Sequence, residues 1–155
     1  MRSISRELHL AVGAAAAFAL LHSPSAIRQW WSAARVVVAA RSGGVWVGAW
    51  GPDEDAPDYI TVGRIVAWEP PHRMRLGAFE YFTKDGADLP FVAALETEFL
   101  VRPTKTGSVL SVNQTGFPAE PDADAFFAAC ERGWKATFEG IQRYVTEGAP
   151  AGGEE

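Results

Sequence analysis

Cysteine and histidine are scarce in this 155-residue chain, which contains one cysteine and three histidines. The single Cys130 excludes an internal disulfide and a cysteine-based zinc site. His9, His22 and His72 do not share a local metal-ligand spacing. We therefore expect no metal and no cofactor, and we interpret Cys130 as a small core residue of a cytoplasmic protein.

The sequence also lacks an excess of basic charge. Fourteen Lys and Arg residues stand against nineteen Asp and Glu residues, giving a formal net charge of −5, which argues against a nucleic-acid partner. No apolar run reaches the roughly 20 residues that span a membrane. Arg2 and Arg6 before the apolar run 10–21 could mark a secretory signal. Because Glu7 and His9 interrupt that pattern, we interpret the segment as the first strand and helix of the fold.

None of the common short motifs of catalysis is present. The sequence has no nucleophile elbow, no glycine-rich phosphate loop and no motif of paired carboxylates. This pattern favours a binding protein. Residues distant in sequence could still converge into an acid–base site, so an enzyme stays open as an alternative.

What the sequence does contain is a series of strand-like segments between turns. Alternation of apolar and polar residues predicts a first strand that ends near Ala11, followed after a gap by about six more. In that gap, the alanine-rich residues 14–21 and the start signal Ser23-Pro24 predict two short helices, the second ending at Trp30-Trp31. The later strands are expected at residues 35–41, 45–50, 59–68, 74–82, 92–101 and 108–114.

A long amphipathic helix is predicted for residues 122–146. Its apolar residues recur at steps of three and four and therefore share one face; they are Phe127, Cys130, Trp134, Phe138, Ile141 and Val145. The order of the elements predicts an α+β fold in one domain, residues 1–147. Residues 148–155 are small, acidic and unpatterned, and we expect them to form a disordered tail.

Several short segments, taken in their order along the chain, resemble a known family. They are Trp30-Trp31, Gly43-Gly44, Gly63-Arg64-Ile65-Val66, Glu69-Pro70-Pro71-His72-Arg73-Met74, Thr115-Gly116-Phe117-Pro118 and Gly133-Trp134. Across residues 3–146 the series resembles the activator of heat-shock protein 90 ATPase homologue family, within the START-like (SRPBCC) helix-grip superfamily. The resemblance implies a curved antiparallel sheet of about six or seven strands around the C-terminal helix, enclosing a cavity that accepts an apolar small molecule in many relatives. Gln114 departs from the pattern, since many relatives have a histidine there.

The resemblance directs attention to the residues that would line such a cavity. Aromatic side chains with a few polar groups among them are typical of small-molecule sites, although aromatic residues at helical spacing more often fill a core. By alternation, Gln114 lies on the same side of its strand as the apolar Leu110 and Val112, so its amide is expected to face the helix. There it would either orient a ligand or bond to the backbone. The candidate ligand-binding residues are Trp30, Trp31, Trp50, Phe79, Tyr81, Phe91, Gln114, Trp134 and Phe138.

Three functions follow from these interpretations. The leading hypothesis is a non-catalytic domain that binds a hydrophobic or aromatic small molecule between sheet and helix. The alternatives are a co-chaperone-like domain that stimulates a chaperone's ATPase, supported only by the family name, and a cyclase- or hydrolase-like enzyme that uses polar cavity residues. Free sheet edges and an apolar surface patch would also permit a homodimer.

Overall fold

The structure is a computed structural model that describes residues 1–86 and 91–147. The predicted tail at 148–155 lies outside the described residues. The described part has an α+β fold, with two short helices after the first strand and a long helix at its C-terminal end. The elements are β1 Arg2–Leu10, α1 Ala14–Ala19, α2 Pro24–Trp31, β2 Arg35–Val38, β3 Val45–Trp50, β4 Tyr59–Glu69, β5 Arg73–Thr83, β6 Glu96–Thr104, β7 Gly107–Phe117 and α3 Asp124–Glu147.

The seven strands form one antiparallel sheet in the order β1-β7-β6-β5-β4-β3-β2. Consecutive strands from β2 to β7 are neighbours, because each is joined to the next by a turn or a short connection. The first strand instead crosses over to pair with the last, so Leu8 lies opposite Leu110. The short helices α1 and α2 make this crossover. The predicted helix-grip architecture is confirmed.

Helix α3 supplies its predicted apolar face to the core. Trp134, Phe138 and Ile141 are buried, and Phe127, Cys130 and Val145 are half-buried. The N-terminal segment belongs to the same core, because Ile4 and Leu10 of β1 and Phe18 of α1 are buried within it. In the described parts of the chain, no helix has both the length and the apolar content to cross a membrane.

Several strand boundaries differ from the prediction. Strand β2 ends at Val38 rather than at residue 41, and β6 ends at Thr104 rather than at residue 101. Two further differences lie at one contact. Residues Val92–Ala94 form a short 3-10 helix, so β6 begins only at Glu96, while β7 continues past Gln114 to Phe117. Gly116 allows the two segments to meet: it has φ +97°, and a Cβ there would lie 2.2 Å from the carbonyl oxygen of Ala94. An apolar run alone does not distinguish a 3-10 turn from a strand.

Candidate ligand-binding site

The inner face of strands β3 to β5 forms the floor of the candidate site. Trp46 is buried on this face, and alternation places Gly48 and Trp50 on the same side. The strand register pairs Gly48 with Thr61 and Trp50 with Tyr59. Small side chains in the middle of a sheet face leave room for larger groups above them.

Two aromatic rings occupy that room in this structure. A Cβ at Gly48 would lie 2.7 Å from Cη2 of Trp50, and one at Gly63 would lie 2.9 Å from Cε1 of Phe79. Each ring therefore lies directly over a glycine, at a distance that no other residue type would permit without displacement.

Four partly exposed aromatic side chains extend from this floor to the protein surface. We call Trp31, Trp50, Tyr59 and Tyr81 the aromatic mouth. Trp50 stacks on Tyr59 with ring centroids 5.0 Å apart, and Tyr59 contacts Tyr81 at 5.9 Å. Trp31 meets Trp50 edge-on at 5.3 Å, and the Trp50 indole donates a hydrogen bond of 3.1 Å to the carbonyl oxygen of Trp31.

Behind the mouth lies a set of buried polar contacts, which we call the braced core: Trp134, Gln114 and Thr97. The Trp134 indole N–H donates to Oε1 of Gln114 at 2.8 Å, and Nε2 of Gln114 donates to Oγ1 of Thr97 at 2.9 Å. All three side chains are buried. Each hydrogen bond satisfies groups that would be costly to bury alone, so the set holds α3 at a fixed position on β7 and β6.

Gln114 does face the helix, but its bonds are not the expected ones. Its amide binds two side chains rather than the backbone. This use of both amide ends keeps the carboxamide orientation defined, since the oxygen must accept from the indole.

Trp31 links the mouth to the braced core. Its ring lies 6.3 Å from that of Trp134 and stacks on the buried Trp30 at 5.2 Å. Trp134 in turn meets Phe99 at 5.8 Å and Phe138 at 6.1 Å. The aromatic contacts are therefore continuous from the surface to the centre of the domain.

The predicted site residues fall into three places. Trp31, Trp50 and Tyr81 belong to the mouth, whereas Trp30, Phe79, Gln114, Trp134 and Phe138 are buried behind or beneath it. Phe91 lies apart from these, in contact with Phe126 of α3 at 5.8 Å. Whether any of them binds a ligand stays a prediction.

The mouth also includes a residue that the sequence interpretation did not name. Tyr59 opens β4 directly after the turn at 51–58, and the hairpin brings it opposite Trp50. The predicted strand boundaries already indicated this pair. One strand ends at the aromatic Trp50 and the next begins at the aromatic Tyr59, so antiparallel pairing places the two rings side by side.

Burial and neighbouring charge raise the pKa values of the two tyrosines in the mouth, and burial raises that of Cys130. The pKa values of Tyr59 and Tyr81 are raised, first by burial and then by nearby negative charge, with Asp58 acting on Tyr59. Burial raises the pKa of the Cys130 thiol to about 11, and a charge on Cys130 would raise that of Tyr81 further. All three groups are therefore protonated at neutral pH.

The histidines lie away from the mouth. His22 packs against Phe18 and Trp68, with ring centroids 5.5 and 5.1 Å away, and burial lowers its pKa. His9 and His72 are exposed. Among the described residues, no group of three or more His, Cys, Asp or Glu side chains could hold a metal ion.

Two grooves lie on other parts of the surface. One, of about 430 Å³, runs between Arg6–Leu8 of β1 and the second half of α3, and includes Phe138. The other, of about 540 Å³, lies where the start of β1 meets residues 93–96. Neither groove is lined by a residue of the aromatic mouth.

Comparison with known proteins matches this architecture to one family. A family model described as Activator of Hsp90 ATPase homolog 1-like protein matches residues 11–146. A solved structure from Mesorhizobium loti has 18% identity and a TM-score of 0.73 over 96% of this chain and 100% of that chain. One from Rhodobacter sphaeroides has 22% identity and a TM-score of 0.72 over 94% and 93%.

The solution structure of the Aha1 dimer from Colwellia psychrerythraea also has this fold. It is 11% identical, with a TM-score of 0.72 over 94% of this chain and 96% of that chain. At such identities the likeness of these structures shows the fold alone. Among curated proteins, none matches this chain in sequence.

Proposed function

The chain belongs to the family of Activator of Hsp90 ATPase homolog 1-like proteins, and we propose that it is a START-like domain that binds a hydrophobic or aromatic small molecule. The ligand enters at the aromatic mouth and lies against the inner face of β3 to β5. The domain holds this molecule without converting it.

One observation carries the proposal: the aromatic mouth is partly exposed although it continues directly into the buried core. Tyr59 is 37% exposed, and Trp31, Trp50 and Tyr81 are half-buried. Rings that only filled the core would be buried, as Trp30 and Trp134 are. Partly covered rings above a floor of small residues provide the apolar contact area that small-molecule sites use.

The polar groups of the mouth indicate what the ligand carries. The hydroxyl groups of Tyr59 and Tyr81 are protonated at neutral pH, because the ordinary pKa of tyrosine is about 10 and both pKa values are shifted further upward. They can therefore donate hydrogen bonds to an acceptor on the ligand. An apolar or aromatic molecule with one or two oxygen acceptors fits this arrangement.

The same raised pKa values weigh against the enzyme alternative. A general base works best when its pKa lies near the working pH. Tyr59, Tyr81 and Cys130 all have pKa values shifted upward from already high ordinary values. Binding therefore fits the mouth better than acid–base catalysis.

The proposal is tested by titrating the protein with fatty acids and small aromatic acids. Tryptophan fluorescence reports contact with Trp31 and Trp50, and native mass spectrometry gives the stoichiometry. We expect a one-to-one complex with at least one compound class. Tyr81→Ala should weaken its affinity by about tenfold, which corresponds to roughly 1.4 kcal/mol of lost contact.

Phe82→Ala is the matched control, because Phe82 is the next residue of β5 and alternation places it on the opposite face of the sheet. It is 51% exposed, and its removal should leave the affinity unchanged. Equal losses in the two variants, or the lack of any specific complex, would refute the proposed site.

A co-chaperone role is the alternative. The family description supports it, and no contact described above favours it. Adding the protein to an Hsp90-type chaperone and measuring ATP hydrolysis tests this role directly. A stimulated rate that survives Tyr81→Ala would favour the co-chaperone function over ligand binding.

A further inference from the structure

Part of the outer face of strands β2 to β5 is apolar, whereas an exposed sheet face is normally polar. The register aligns Val37, Val47 and Val62 in one row across three strands, and aligns Ala49, Ile60 and Phe82 in the next. Alternation along each strand, together with this register, places all six on the face opposite to the inward-facing Trp46 and Tyr81. We call them the outer apolar face.

The outer apolar face is open to solvent. Val37 is 59% exposed and Phe82 is 51% exposed, while the other four side chains are half-buried. The same sheet has a polar outer surface at its other end, where Ser5 of β1 donates a hydrogen bond to Asn113 of β7. Two further apolar side chains, Val66 of β4 and Leu100 of β6, are also exposed outside these two rows. The rows nevertheless group six apolar residues at one end of the sheet, which is a pattern typical of an interaction surface.

Two charged side chains of opposite sign flank this face. Glu80 lies opposite Val62 in the register, and Arg64 follows Val62 two positions along β4. Both are exposed, and neither has an ion-pair or hydrogen-bond partner among the described residues. By contrast, Arg73 and Arg75 on the neighbouring part of β5 pair with Glu98 and Glu96.

We propose that the outer apolar face is covered by a second copy of this chain. A two-fold axis that lies in the plane of the contact, passes over Val62 and runs between Arg64 and Glu80 brings Arg64 of each copy opposite Glu80 of the other, while the two outer apolar faces pack together. Both copies can therefore use this same face, since an isologous interface must be complementary to itself. The free edge strand β2 borders the contact.

The size of the outer apolar face determines how tightly we expect the two copies to bind. Each of the six residues occupies about 4.8 Å across the strands and about 7 Å along them, which gives an apolar centre of roughly 200 Å². That is about a quarter of the roughly 800 Å² that each partner contributes to a standard interface, so the charged rim must supply the rest. We expect a dimer that dissociates in the micromolar range.

Sedimentation equilibrium of the full chain over micromolar to millimolar concentrations tests the proposal. Arg64→Glu and Glu80→Arg should each weaken dimerisation by about tenfold, because like charges then face each other across the axis. The double variant should restore it. Ser5→Lys, at the polar end of the same outer surface, is the matched control and should have no effect.

Several results would overturn the proposal. They are a monomeric wild-type chain at every concentration, a dimer that is insensitive to both charge reversals, and a double variant that stays monomeric with an unchanged thermal unfolding curve. Phe82→Ala should weaken the dimer without changing ligand affinity, because the dimer surface and the aromatic mouth lie on opposite faces of β5. The two proposals therefore fail or succeed independently.

Discussion

The braced core and the aromatic mouth are both built from aromatic side chains, yet they differ in how those side chains are held. In the braced core, Trp134 is buried and hydrogen-bonded to Gln114, which is fixed in turn by Thr97. In the mouth, the rings of Tyr59 and Tyr81 contact other rings, their side chains make no hydrogen bond to the described residues, and both are partly exposed. Aromatic content alone therefore does not identify a site, whereas hydrogen bonding and exposure separate structural rings from available ones.

The difference also separates stability from binding. A fully packed and satisfied side chain contributes to the free energy of unfolding and has little left to offer a ligand. A partly exposed ring contributes less to folding and retains contact area for an incoming molecule. Substitutions in the two regions should thus change different measurements.

The largest effect is expected at the centre of the braced core. Trp134→Ala should lower the free energy of unfolding by about 3 to 5 kcal/mol, because it leaves a large cavity and removes the partner of the Gln114 oxygen. Urea denaturation followed by circular dichroism measures the loss. Tyr59→Ala, in the mouth, is the comparison variant and should cost clearly less; equal costs would remove the distinction between the two regions.

A smaller loss is expected when the amide is removed. Gln114→Ala should lower the free energy of unfolding by about 1 to 3 kcal/mol, since the Trp134 N–H and the Thr97 hydroxyl each lose a buried partner. Gln114→Glu keeps the size and the acceptor but replaces the amide donor by an acceptor. If Gln114→Ala were as stable as the wild type, the hydrogen bonds of the braced core would contribute nothing to folding.

The smallest effect on stability concerns Cys130, half-buried on α3 one turn before Trp134. With the thiol pKa raised to about 11 from 9.0, alkylation near neutral pH should be roughly a hundredfold slower than for a free cysteine. Because the folded state holds this proton more tightly, its contribution to stability is complete below about pH 9 and is lost as the pH rises through 11. Iodoacetamide labelling against pH measures the shift, with Cys130→Ser as the unlabelled control. A midpoint near 9 would contradict it.

Much of the fold could be predicted because it depends on local patterns. The alternation in β4 and β5, the polar turns between strands and the three- and four-residue spacing on α3 are all visible in the sequence. The seven-strand sheet and its closing helix follow from them. The start of β6 could not be placed, because Val92–Ala94 is apolar in either conformation and only the contact with Gly116 selects the 3-10 turn.

The site was harder to predict because it depends on long-range pairs. Alternation indicates that Gln114 faces the helix, but not that Trp134 and Thr97 bind the two ends of its amide. The sequence also does not show which of the adjacent Trp30 and Trp31 is buried. In the structure Trp30 is buried and Trp31 faces the mouth. Only the packing of α2 on β3 and α3 separates them.

The two glycines beneath aromatic rings make the interior adjustable by substitution. Gly48 lies under Trp50, and Gly63 lies under Phe79. Replacing either glycine with alanine would displace the ring above it away from the sheet, whereas truncating the ring to alanine would open space above the glycine. Under the proposed binding function, these two positions on the floor of the sheet would set the size of the ligand.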